Sequence, residues 1–315
     1  MGIENMGIGI SSLVGWIPDN SGRDALALAA RFAASGDVTV QACTVLPQSW
    51  PFPSMAKVDA EYQRWLAEHG VAAAREATQR ITELGLATKD PTAFYLSNTA
   101  ESAGLNEAAK QYDADIVVLG STDAPAGRFA PGSTTDSLLH SSAVPLALAP
   151  VGTRDSVAPI GRISCAYVGT SQSEDALRTA TTLASAWSLP LRLVAFAPRA
   201  STTFPPVGGY GAEDVVSAQW KTQAENLLSD AETSLSHALP ALRVETALGA
   251  GNGWEAAVDS AAFTDSDLLV VGSSRLGPIA RVFLGSSASK IIRFAKVPMV
   301  VVPRGSSMGK NVEEL

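Results

Sequence analysis

Asp113–Ser121 reads DADIVVLGS, and 152 residues further on Asp265–Ser273 reads DSDLLVVGS. In each, a short unbroken apolar run is closed by glycine and serine. Such a run, flanked by polar residues, has the pattern of a strand buried on both faces, as in a parallel sheet. The match continues on either side. VPLALAP (Val144–Pro150) returns as VPMVVVP (Val297–Pro303) at an offset of 153, and Asp24-Ala25-Leu26 returns as Asp175-Ala176-Leu177 at an offset of 151. Three matches in one order and one register mark a duplicated domain, because the period is far too long for a solenoid unit.

Around these anchors strands and helices alternate. The first half predicts strands over Ile8–Trp16, Val38–Val45, Thr92–Leu96, Ile116–Gly120 and Leu146–Ala149. The second predicts them over Ile163–Val168, Leu191–Ala197, Arg243–Leu248, Leu268–Gly272 and Met299–Val302. Helical periodicity fills Arg23–Ala34 and Ala56–Leu84, and again Ser173–Ala186 and Ala212–Ala238. The expectation is an α/β fold of two Rossmann-like domains, each a five-stranded parallel sheet flanked by helices. Val151–Gly161, rich in Gly and Pro, reads as the linker. The expected boundaries are 1–152, 160–304 and a flexible tail over 305–315. The closing strand of each half lies between prolines (Pro145 and Pro150, Pro298 and Pro303), which favour strand ends and edges. An apolar edge needs a partner. The two closing strands are therefore expected to pair antiparallel as an internal pseudo-dimer, the alternative being that linker or tail covers each edge. A homodimer of such chains is compatible with either.

Composition narrows the function classes. A net charge of −8 argues against sequence-independent nucleic-acid binding and against attraction to an anionic membrane. No apolar run approaches the roughly 20 residues of a membrane span. The first 16 residues lack a basic leader region, and Met6 stands where an acylation motif needs Ser or Thr. Cys43 and Cys165 each lie in a strand, far apart and without a Cys-x-x-Cys or histidine cluster, so they read as core thiols of a cytoplasmic protein.

In an open parallel sheet, ligands gather beyond the carboxyl ends of the strands, where strand order reverses. After the fourth strand the second half reads VVGSSRLGPIARVFLGSSASKII. Gly272 ends the strand, Gly277 lies in the loop, and Gly285-Ser286-Ser287 opens the next helix. Backbone N–H groups, the helix dipole and hydroxyls at such a terminus suit an anion. The competing reading is an ordinary N-cap with turn glycines.

This segment resembles the signature of the universal stress protein (UspA) family: glycine, two residues, glycine, nine residues, then glycine with Ser or Thr. Gly272 and Gly285-Ser286 match its ends. The resemblance covers nearly the whole chain twice, as in tandem members of the family. It implies an adenine-nucleotide α-hydrolase-like fold, a cytoplasmic stress-response role and, in some members, ATP with Mg²⁺. Two departures stand out. The middle glycine falls on Arg275, a bulky cation that could crowd a phosphate or pair with it. The acidic residue that ATP-binding members carry after strand one falls on Val168, and on Ile17 in the first half. The first half, GSTDAPAGRFAPGSTTDSLL, departs further. Asp123 occupies the middle-glycine position, the loop is one residue shorter, and Arg128 stands nearby.

The expected nucleotide contacts are therefore Gly272, Arg275, Gly277, Gly285, Ser286 and Ser287, with Val168 at the adenosine end. His69 and His237 lie in long helices and read as surface residues, and His140 follows the first glycine loop. None comes with a nucleophile and an orienting group, so a binding or regulatory protein is expected rather than an enzyme. The loops at Leu46–Met55 and Ala197–Asp214, with Trp50, Phe52, Phe204 and Tyr210, read as lids, partner contacts or local packing. Two functions remain: a nucleotide-binding regulator read by a protein partner, and a ligand-free interaction module acting through the pseudo-dimer surface.

Overall fold

The computed structural model describes residues 9–48, 57–199, 210–275, 282–283, 286–306 and 308. Side chains at 57–59, 210–217, 274–275 and 282–283 are left aside. The chain divides into two units, built on Met1–Pro159 and on Ile160–Ser307.

The first unit runs β1 (Ile10–Gly15), α1 (Asn20–Ser35), β2 (Val38–Pro47), α2 (Lys57–Glu83), β3 (Ala93–Asn98), α3 (Glu101–Gln111), β4 (Ile116–Gly120), α4 (Ser133–Ser141) and β5 (Leu146–Ala149). Its strand order is β3-β2-β1-β4-β5, with every neighbouring pair parallel. Order reverses between β1 and β4. Ile116 to Leu119 are all buried, as are Leu146 to Ala149, so both faces of these strands are covered. That burial is the cause of the unbroken apolar runs.

The second unit runs β6 (Arg162–Ala166), α5 (Ser171–Ala186), β7 (Leu191–Arg199), α6 (Tyr210–Ala238), β8 (Val244–Asn252), α7 (Gly253–Ser260), β9 (Asp267–Gly272), β10 (Ser274–Arg275), β11 (Val282–Phe283), α8 (Ser286–Phe294) and β12 (Met299–Val302). Its order is β8-β7-β6-β9-β12, again parallel throughout. The same plan thus appears twice. The sequence reading treats the stretch after Gly272 as one loop, whereas β10 and β11 pair antiparallel, Arg275 opposite Val282.

The duplicated Asp-Ala-Leu has a structural cause. Asp24 is buried on α1, and its carboxylate accepts from Arg154 N at 2.7 Å, Arg154 Nη1 at 2.8 Å and Gly152 N at 3.2 Å. Asp175 on α5 accepts from Gly305 N at 2.9 Å and from Arg178. In each unit one carboxylate on the first helix holds the turn that follows the last strand. Gly152 and Gly305 adopt φ of +93° and +73°, the left-handed region that glycine enters without steric penalty.

A second repeated acid lies at the opposite end of the sheet. Asp267, with a side chain fully removed from solvent, accepts from Arg162 Nε at 2.7 Å, Arg162 Nη2 at 2.8 Å, Ser164 Oγ at 2.9 Å, and Thr264 N and Oγ1 at 2.8 Å each. Burial alone would raise its pKa, but the hydrogen bonds from Arg162, Thr264 and Ser164 outweigh it and hold the carboxyl below its ordinary value. Buried Arg192 lies alongside, its Nη2 3.6 Å from Asp267 and its Nε donating to Ser164 at 3.1 Å. In the first unit the matching Asp115 accepts from Ser11 N at 2.9 Å.

Both cysteines are buried, as expected of core thiols. Burial pushes the Cys43 thiol up to about 12 and raises that of Cys165 as well. Among the described residues no helix is long and apolar enough to cross a membrane.

Candidate functional site

Each unit carries a cleft at the carboxyl ends of its central strands. The cleft of the second unit measures about 740 Å³, within the range of small-molecule pockets. It opens over Val168, Thr170 and Gln172 after β6, over Phe196 and Pro198 of β7, and over Gly272 where β9 ends. Ser286 and Ser287 at the start of α8 and Trp254 of α7 complete the rim. Among the described residues that line it, none carries a charged side chain.

The local structure explains this geometry. Thr170 caps α5 reciprocally with Ser173, which fixes where β6 hands over to the helix. Gly272 is required by packing: a Cβ there would stand 2.1 Å from the carbonyl oxygen of Gln172. Its repeat, Gly120, meets Ser21 in the same way at 1.9 Å. These glycines let the first helix of each unit press its opening turn against the end of the fourth strand, and so shape the floor of the cleft.

Four of the seven residues expected to touch a nucleotide therefore come together: Val168, Gly272, Ser286 and Ser287 line one cleft. Arg275 has its backbone in β10. Gly277 and Gly285 lie outside the described residues. Val168 is 55% exposed and offers only an apolar surface where an acidic side chain would accept a hydrogen bond. The first turn of α8 holds no acidic residue, so the dipole of that helix end is not neutralised within its own turn. Lys290, one turn further on, holds its Nζ 5.5 Å from the centre of the Trp254 ring.

Sequence reading missed the aromatic wall. Trp220 of α6 is 65% exposed yet lines the cleft, together with Phe196 and Trp254, whose rings lie 6.3 Å apart. Helical periodicity shows Trp220 on an outward stripe of α6. Only the return of that helix over β7 and β8 places the stripe beside Ser286. Of the expected lid residues, Trp50, Phe52 and Phe204 lie outside the described residues, as does the side chain of Tyr210.

The first unit's cleft measures about 570 Å³ and differs in charge. Asp123 and Glu101 line it, with no lysine or arginine among the described lining residues. The hydroxyl of Thr134, in the first turn of α4, donates to Glu101, and Asp136 lies in that same turn. Its glycine-serine helix start is thus already attended by the chain's own carboxylates. His69, read from the sequence as a surface residue, is exposed but belongs to this wall. His140 lies 3.9 Å from Asp136. Among the described residues no group of three or more His, Cys, Asp or Glu could hold a metal ion.

The sequence model of the universal stress protein family matches residues 13–150 and again 159–303. Universal stress proteins of Mycobacterium tuberculosis and Mycobacterium bovis are each 38% identical over 294 residues, covering 92% of this chain and 99% of theirs. Among solved structures, a universal stress protein from Archaeoglobus fulgidus aligns with a TM-score of 0.63 at 17% identity, over 94% of this chain and 98% of that one. A Pseudomonas aeruginosa protein described as functionally unknown aligns at 0.51 with 13% identity, over 93% and 92%. With two matches in tandem and relatives of this identity over almost the full length, the chain belongs to the universal stress protein family.

Proposed function

We propose that the chain is a cytoplasmic stress-response regulator that acts by binding rather than by catalysis, and that an adenine nucleotide, ATP foremost, occupies the cleft of the second unit. The observation that carries this is the contrast between the two clefts. The second has no carboxylate among its described lining residues and places Ser286 and Ser287 at a helix start free of first-turn acids. The first presents Asp123 and Glu101 at the same place. Ser286 and Ser287 would take the phosphates, and Gly272, Gly277, Gly285 and Arg275 belong to the same proposal. Val168 and the aromatic wall would enclose the base. Mg²⁺ would arrive on the phosphate oxygens, since the described residues lining this cleft offer it no carboxylate. Nucleotide binding would set the conformation that a protein partner reads. Antiparallel pairing of the two closing strands belongs to the same reading, and a cysteine introduced into each would report it by cross-linking.

Thermal unfolding of the full chain with ATP, AMP and cyclic AMP, each with and without Mg²⁺, tests the nucleotide. A ligand at about a hundred times its Kd stabilises the folded state by about 2.7 kcal/mol, a readily measured rise in Tm. No rise at millimolar nucleotide would refute occupancy. The ligand-free interaction module would then stand, favoured by Val168, whose apolar side chain cannot accept a hydrogen bond from the nucleotide.

A further inference from the structure

Trp220 is the most exposed large hydrophobic side chain among the described residues, at 65%, although tryptophan is on average a highly buried residue. Its place on the helix is specific. Trp220, Gln223, Ala224 and Leu227 of α6 all line the second cleft. Spacings of three, four and seven residues put them on one helix face. With α6 packed on β7 and β8, that face forms a wall of the cleft, and Trp220 is the first of its four lining residues along the helix.

The first unit supplies a comparison. Its long helix α2 also carries an exposed tryptophan, Trp65. That ring has company from its own chain: Tyr62 stacks on it with ring centres 5.8 Å apart and planes at 17°, and the ring of His69 lies 3.9 Å away. Trp65 is not among the residues lining the first cleft. Trp220 is the reverse case. It lines its cleft, and among the described residues no aromatic ring stacks on it. A flat ring laid on such an indole takes apolar surface of both partners out of water.

On the reading that a nucleotide occupies the second cleft, we propose that Trp220 sets the preference among bases: its indole stacks on the base and selects purine over pyrimidine by ring area. Stacking of a base on an aromatic side chain is worth about 5- to 150-fold in affinity. Every base has a face to offer, so the choice follows stacking strength, and the two fused rings of a purine gain more than the single ring of a pyrimidine. Trp220 thus acts on the face of the base, whatever groups meet its edge, and the phosphates are untouched by it.

Two nucleotides with the same triphosphate and different bases isolate this effect. Calorimetric titration of the full chain with ATP, and with CTP measured by its displacement of ATP, should show ATP bound about fivefold tighter or more. Trp220→Ala, at an exposed position, should weaken ATP by about tenfold and narrow the ratio of ATP to CTP affinity. Trp220→Phe keeps an aromatic face and should recover most of both. A general disturbance of the cleft would weaken the two nucleotides equally and leave their ratio as it was. ATP affinity unchanged in W220A, an unchanged ratio, or W220F no better than W220A would overturn the role of Trp220 while nucleotide occupancy stands. No binding of ATP to the wild-type chain at millimolar concentration would overturn both.

Discussion

Asp267→Ala should destabilise the second unit severely. The substitution removes a carboxylate that receives five hydrogen bonds, two of them from the fork of Arg162. It takes from the 6% exposed Arg192 its carboxylate neighbour at 3.6 Å and leaves Arg162 with Glu245 alone, 3.9 Å away. Breaking a buried pair from one side costs about 3–5 kcal/mol, because the surviving charge remains desolvated. For a domain of this size about 1 kcal/mol moves Tm by roughly 2–4 °C, so the transition of this unit should fall by roughly 6–20 °C. Scanning calorimetry on the full chain measures it. Asp115→Ala, at the same place in the other repeat, is the internal control. Its carboxylate accepts from Ser11 N and, among the described residues, pairs with no arginine, so its loss should cost about 1–3 kcal/mol. The pH dependence follows from the direction of the shift. A carboxyl held below its ordinary value of 3.8 contributes stability that is present above that value and is lost as pH falls through the folded pKa. Between pH 7 and 5 the contribution of Asp267 should therefore be constant, and the difference between wild type and D267A should shrink only in more acidic solution. A D267A shift below 2 °C, or one no larger than that of D115A, would refute the assignment of this network as the main electrostatic support of the second unit.

Gly272→Ala places a methyl group 2.1 Å from the Gln172 carbonyl, a backbone contact that cannot simply rotate away. It should cost at least about 1–3 kcal/mol in unfolding experiments and weaken any ligand of the second cleft by displacing the start of α5. Asp24→Ala removes three hydrogen bonds, two from Arg154 and one from Gly152, from the turn after β5; because the Arg154 side chain reaches solvent, a loss of about 1–3 kcal/mol is expected in denaturant titration, with Asp24→Asn milder. Cys43 and Cys165 should stay unreactive toward a disulfide reagent in the native protein at pH 8, with both titrating on unfolding. Burial pushes Cys43 up to about 12, leaving roughly one part in ten thousand as thiolate, and fast native reaction would show that the strands open.

The duplication, the strand and helix alternation, and the family likeness were legible in the residues themselves. IVVL and LLVV announce double-sided burial wherever they occur, and a repeat offset needs no coordinates. Ends of elements were less legible. Ser171 and Gln172 belong to α5 although the apolar periodicity begins later, because the Thr170–Ser173 cap sets the start. Gly272 and Gly120 could be read from the sequence as glycines suited to a phosphate, but what demands a glycine there is a helix backbone passing close by, which no local pattern reveals.

Sequence alone determined the plan of this protein: two copies of one parallel α/β unit, because burial on both faces imposes its period on every strand regardless of neighbours. Tertiary structure decided what each cleft presents. Trp220, Glu101 and His69 lie far along the chain from the glycine loops, and their arrival at the strand ends depends on how helices return across the sheet. The charge of a pocket is a sum over side chains that only the folded chain brings within reach of one another, so two units of one strand order differ in their described lining, which carries Asp123 and Glu101 in the first cleft and no charged side chain in the second.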